Sequence, residues 1–327
     1  MMKSKVYVYG LCNVFYDAYY IKGLNEVIGK VNFNISKFPL FKQGTFAVII
    51  ENTNSVKKII IDSGDSNEID LMNLQWCDVY GKINYDKTVW QHGEMAKKII
   101  SIGPGFGIKI WNLFKTLFYM GVNFYKFKTH ISNKRDFVAN YWRQYKRLYI
   151  SKYYPEVSSK NEVFFISSIW RKEKDTNDYR ALFIECCKEN RKVVFEGGFA
   201  SRTDGNNLGY DNLVTSAKIP LKVYVKKIKK SAIVFNTPAV LSCHGWKLAE
   251  FLALGKAIIT TPHFNELPAD LLNYEHLIYA NNKETIQKAI DELITDENLK
   301  KQIQIAGREY FEEYLAPEAV IKKILRH

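Results

Sequence analysis

Residues 231–261 read SAIVFNTPAVLSCHGWKLAEFLALGKAIITT, and within them His244, Gly245, Lys247 and Glu250 have the types and spacing to hold an anionic ligand. Such a ligand needs positive charge and N–H donors, and the elements around these residues supply a place for both. The β-branched apolar run 232–235 reads as a buried parallel strand, 246–254 as a helix stopped by Gly255, and 257–261 as the next strand. The loop 242–245 therefore opens a helix. In an open α/β sheet, ligands lie beyond the carboxyl ends of the strands, where helix N-termini present unpaired N–H groups to anions.

A second loop of this kind follows the expected strand 163–167. It carries Ser168, Arg171 and Lys172, so it too offers donors and positive charge to a phosphate. Glu266, in the PHFNELP segment after the third strand, is a further candidate contact. Each residue has a plainer alternative: Arg171 and Lys172 as a solvated turn before Glu173, His244 as a helix cap, Glu266 as a solvated loop carboxylate.

The segment KLAEFLALGKAIITT resembles the donor-site motif of glycosyltransferase group 1/family 4, with the similarity clearest from about 162 to 317. The resemblance implies an α/β, GT-B fold: two Rossmann-like domains with parallel sheets facing across a cleft. It implies that Glu250 holds the ribose hydroxyls of a nucleotide-sugar, since the two oxygens of one carboxylate accept from two vicinal donors. It also implies that Arg171, with Lys172 next, meets the diphosphate. The chain departs from the pattern eight positions before Glu250, where Ser242 stands in place of a second glutamate. The family needs no cofactor beyond the donor substrate and no metal. An inverting transferase needs a base for the acceptor hydroxyl. The candidates are Asp17 in the first loop, Asp62 and Asp65 after a strand, and His92 in the WQHGE segment, against cap or structural roles for each.

The 327 residues suffice for two domains. Residues 1–155 are expected to form an N-terminal Rossmann-like, acceptor-binding domain, and 156–327 a C-terminal, donor-binding one whose last helix, in the family, crosses back. The linker is 153–160, with Pro155 and a serine pair. A net charge of +13 calls for an anionic partner. Without an arginine-rich repeat, zinc spacing or recognition motif, that partner is not nucleic acid. Five cysteines without metal spacing suit a reducing compartment, and the N-terminus lacks a secretory pattern, so a cytoplasmic protein is expected. Residues 108–127, rich in aromatics and broken by lysines, read as a domain-one helix with its apolar side inward. The alternative is a helix lying in the headgroup region at the inner face of the membrane, apt for a lipid-carried acceptor. The activity expected is a metal-independent, hexosyltransferase-like transfer from a nucleotide-diphosphate-sugar to a glycan or lipid-linked glycan, as in polysaccharide biosynthesis. The rivals are an epimerase-like enzyme on the same donor and an idle binding or assembly protein.

Overall fold

β-Branched runs alternate with helix-forming segments along the whole chain and produce an α/β structure in two units. The first comprises Met1–Lys152, Glu266–Pro268 and Tyr314–His327, the second Tyr153–Asn265 and Ala269–Glu313. The structure, a computed structural model, describes residues 4–89, 93–215 and 219–327.

Unit 1 is built from β1 (Lys5–Tyr9), α1 (Val14–Val27), β2 (Val31–Asn34), β3 (Phe46–Glu51), β4 (Val56–Asp62), α2 (Leu71–Trp76), β5 (Val79–Lys82), β6 (Ile99–Ser101), α3 (Leu113–Phe127) and α4 (Lys134–Tyr145). Its sheet runs β2-β1-β3-β4-β5-β6. One strand departs from the parallel arrangement, because β3 is antiparallel to both β1 and β4. The turn joining β3 to β4, closed by Asn52 N–H to Ser55 O at 2.9 Å, is too short for a crossover and leaves a hairpin as the available connection. Asn13 caps α1 through its side chain, which accepts from the Phe15 N–H at 3.2 Å.

Helix α3 reverses the inward-facing arrangement expected of residues 108–127. Its buried residues are Thr116, Asn123 and Phe127, whereas Phe114, Leu117, Phe118 and Tyr125 are exposed. Hydrogen bonding satisfies the polar residues that go in. The Thr116 hydroxyl donates to Asn112 O at 2.8 Å, and the Asn123 amide donates to the buried Tyr141 hydroxyl of α4 at 2.9 Å.

Unit 2 contains β7 (Glu162–Ser168), α5 (Lys174–Glu189), β8 (Val194–Ala200), β9 (Val214–Thr215), α6 (Leu221–Lys230), β10 (Ile233–Asn236), α7 (Trp246–Ala253), β11 (Ala257–Thr260), β12 (Ile278–Tyr279), α8 (Lys283–Thr295) and α9 (Glu297–Tyr310). The last helix, α10 (Pro317–Arg326), belongs to unit 1 and lies on α1. Gly23 is required there, since a Cβ on it would stand 2.1 Å from Pro317 O.

The strands of unit 2 form two parallel triplets, β9-β8-β7 and β10-β11-β12. Edges β7 and β10 are joined by the Ala232 N–H to Glu162 O at 2.7 Å. The Ser231 hydroxyl completes the seam: it accepts from Phe164 N–H at 2.9 Å and donates to Ile233 O at 2.6 Å. Read across, the order is β9-β8-β7-β10-β11-β12, the Rossmann order with its reversal between β7 and β10. Beneath it, Phe183 of α5 stacks on Phe235 of β10 at 4.5 Å, with Phe165 edge-on to Phe183 at 5.3 Å.

Candidate functional site

The reversal point of unit 2 gathers cations. Arg180, on the buried face of α5, donates from Nη1 to Ser168 O at 3.0 Å and from Nε to the Thr237 hydroxyl at 2.9 Å. It thus spans the carboxyl ends of β7 and β10. Lys247, in the first turn of α7, reaches back to Ile166 O of β7. Burial pushes the Lys247 ammonium down to about 7, the neighbouring Arg180 pushes it the same way, and Glu250 opposes them. Burial also lowers Arg180, to about 10. Glu250, one turn along α7, is buried. Two desolvated cations beside a helix N-terminus make a site that an anionic ligand would suit.

The loops shape the space above. Asn177 of α5 holds the loop after β7 with both ends of its amide, accepting from Trp170 N–H at 3.0 Å and donating to Trp170 O at 2.7 Å. After β10 the chain passes through two consecutive left-handed residues, Leu241 (φ 55°) and Ser242 (φ 58°). Left-handed conformations disfavour a β-carbon, and they mark a loop held by its surroundings. The Leu241 N–H is fastened to Glu173 Oε1 at 3.1 Å. No side chain caps α7 at Gly245. A cavity of about 470 Å³ lies beside this loop, lined by Lys172, Glu173, Asp175, Tyr179, Ser242 and Thr261 among others, while Arg180, Lys247 and Glu250 are not in its wall. Asn236 Oδ1 and Thr261 Oγ1, at the ends of β10 and β11, are buried without a hydrogen-bond partner among the described residues.

Unit 1 has a second polar cavity, of about 420 Å³, at the end of β4 and beside α1. It brings Asp17, Asp62 and Asp65 together, with Asp70, Asn13 and Lys42 in the same wall. Asp62 is positioned by two groups of β5, accepting from the Tyr80 hydroxyl at 2.7 Å and from Lys82 Nζ at 2.8 Å. Asp17 is buried, and its Oδ2 has no hydrogen-bond partner among the described residues. Burial raises its carboxyl well above the usual range, against a bond from the Asn13 backbone.

The residues singled out from sequence fall as follows. Lys247, Gly245 and Glu250 lie on or at the start of α7, Ser168 ends β7, and Lys172 lines the unit 2 cavity. Arg171 points outward, its side chain 70% exposed and 3.5 Å from Asp204. His244 is buried, with Nε2 at 3.0 Å from Asn265 O. Its ring lies 5.3 Å from that of His263, which burial and His244 together push down to about 3. Glu266 is a unit 1 residue: its N–H donates to Tyr85 O at 2.8 Å and its carboxylate is 3.7 Å from Lys87. His92 lies outside the described residues. Sequence reasoning missed Arg180, Asn177 and Thr237. For Asn177 and Arg180 the sequence held only that Thr176, Asn177 and Arg180 interrupt a stripe of α5 that continues as Ala181, Phe183, Ile184 and Cys187, which does not say what they meet. Among the described residues no cluster of three or more His, Cys, Asp or Glu could hold a metal ion.

The fold defines an α/β chain of two units, with a complete Rossmann strand order in the second. The sequence matches no family model and no curated protein. In structure the chain is similar to the C-terminal domain of a glycosyl transferase group 1 family protein from Francisella tularensis, at 18% identity and TM-score 0.35, over 50% of this chain and 97% of that one. It is also similar to a glycosyltransferase from Rickettsia africae, at 14% identity and TM-score 0.46, over 82% and 69%. A third similarity is to a UDP-GlcNAc 2-epimerase from Neisseria meningitidis bound to UDP-GlcNAc, at 12% identity and TM-score 0.40, over 79% and 64%. At likenesses this low, function rests on the chain's own residues.

Proposed function

We infer that the protein is a glycosyltransferase that takes a nucleotide-diphosphate-sugar in unit 2 and transfers its sugar to a glycan or lipid-linked glycan bound in unit 1. The observation that carries this reading is the pair of buried Arg180 and half-buried Lys247 at the strand-order reversal, beside the uncapped start of α7. A diphosphate is the ligand that such a pair suits, because each cation gains a counter-charge that burial otherwise denies it. Glu250 accepts the ribose hydroxyls, and the unpartnered Asn236 and Thr261 oxygens offer acceptors to the rest of the donor.

The departing nucleotide takes negative charge, and Lys247 with the α7 N–H groups stabilises it. In unit 1, Asp17 is the base for the acceptor hydroxyl, with its Oδ2 unpartnered among the described residues and its place in the polar cavity beside Asp62. Asp62, held by Tyr80 and Lys82, orients the acceptor by accepting from its hydroxyls. The cytoplasm supplies the nucleotide-sugar, and the reaction uses no metal.

Thermal unfolding with a panel of nucleoside diphosphates tests the donor site. One nucleotide raises the melting temperature of the wild type, as ligand binding to the folded state must, and Glu250→Ala loses most of that rise. No shift with any nucleotide at millimolar concentration would favour the idle binding protein instead. Interconversion of free nucleotide-sugars, without transfer, would identify the epimerase.

A further inference from the structure

Helix α3 exposes one continuous apolar stripe, Phe114, Leu117, Phe118 and Tyr125, with Gly121 between, at the spacing of a single helix face. Phe114 is 81% exposed, Tyr125 74% and Phe118 63%. Lone exposed apolar residues are ordinary; a whole face turned outward while threonine and asparagine are buried is not.

Charge accompanies the stripe. Residues 108–135 hold six Lys and Arg and no Asp or Glu. Lys115 and Lys126 are exposed beside it, and Lys128 lies 4.9 Å from the Tyr125 ring. On α4, which packs against α3, the half-exposed Trp142 carries Lys146 at 4.7 Å. Aromatic rings with adjacent ammonium groups match the boundary of an anionic bilayer, where rings sit at the acyl edge and cations meet phosphates.

We propose that the α3 face of unit 1 docks the protein on the surface of an anionic lipid bilayer, lying in the headgroup plane with Phe114, Leu117 and Phe118 inserted. Among the described residues no helix is long and apolar enough to cross a membrane, so attachment is to one leaflet. A second copy of the chain is a poor occupant, because it would set the same acid-free cationic segment against itself at a net charge of +13 per chain. This inference is independent of the donor reading, since vesicle binding needs no nucleotide.

Flotation of the 327-residue protein with phosphatidylglycerol vesicles and with phosphatidylcholine vesicles, at low and high salt, tests it. The wild type floats with the anionic vesicles and is released by salt. Phe114→Ser combined with Phe118→Ser weakens binding at least about tenfold, and Lys115→Glu and Lys126→Glu weaken it by about fivefold or more each. All four side chains are exposed, so melting temperature and nucleotide-induced stabilisation stay at wild-type values. Absence of flotation on anionic vesicles overturns the proposal, as does flotation that both sets of variants retain. A dimer that the phenylalanine variants dissociate, without vesicle binding, would assign the face to a second copy and overturn it equally.

Discussion

Lys247 gives the donor reading its sharpest consequence at the scale of a single residue. Its folded-state pKa, near 7, lies below that of a free lysine, so the folded protein gives up a proton that the unfolded chain keeps. Its contribution to stability is therefore unfavourable at low pH and recovers as pH rises from about 7 toward the ordinary lysine value. An anion beside it reverses the balance by favouring the ammonium. Binding a nucleotide-sugar, whose diphosphate does not titrate in this range, then takes up a proton. Affinity measured by calorimetry falls by up to about tenfold per pH unit above about 7, and Lys247→Met abolishes that slope. A pH-independent affinity would remove Lys247 from the anion site. The motif around Lys247 and Glu250 was legible in sequence because glycine stops and apolar strands frame it. Arg180 was not, because the sequence places it inside a helix and only the packing of α5 across two strand ends shows what its guanidinium meets.

At the scale of elements, the seam between β7 and β10 is completed by one hydroxyl beside the Ala232–Glu162 backbone bond. Ser231→Ala leaves the buried Phe164 N–H without its acceptor, and urea unfolding should show a loss of about 1–3 kcal/mol. An unchanged midpoint would mean that another group fills the place. The strands flanking this seam were readable as short β-branched runs, yet their neighbour β8 runs on through Gly197 and Gly198 to Ala200. Gly197 and Gly198 hid that extension, since glycine ordinarily weakens a strand. Here it is required, as a Cβ on Gly197 would stand 1.8 Å from Phe165 O. For α3, the apolar–polar period was visible in the sequence, but not which side faces inward, where Asn123 donates to Tyr141 of α4.

At the scale of the molecule, α10 returns to unit 1, where Val320, Ile321 and Ile324 are buried and Tyr19 donates to Leu315 O at 2.5 Å. Ending the chain after Glu313 removes that cover from α1. In calorimetry the truncated protein is expected to lose several kcal/mol from the transition of unit 1, by uncovering apolar side chains worth about 1.5–3 kcal/mol each, while nucleotide-induced stabilisation of unit 2 persists. Loss of both together would make the two units one cooperative block.

The sequence alone determined the α/β class, the strands later seen as β7, β10 and β11, and the glycine-framed turn carrying Lys247 and Glu250, because these follow from local periodicity and chain stiffness. Only the tertiary structure decided that β3 runs antiparallel, that α3 faces outward, that Asp17 and Asp62 share a cavity, and that Arg180 joins Lys247 at the sheet's reversal. Those outcomes depend on which distant groups satisfy one another once water is excluded, and spacing along the chain carries no record of that.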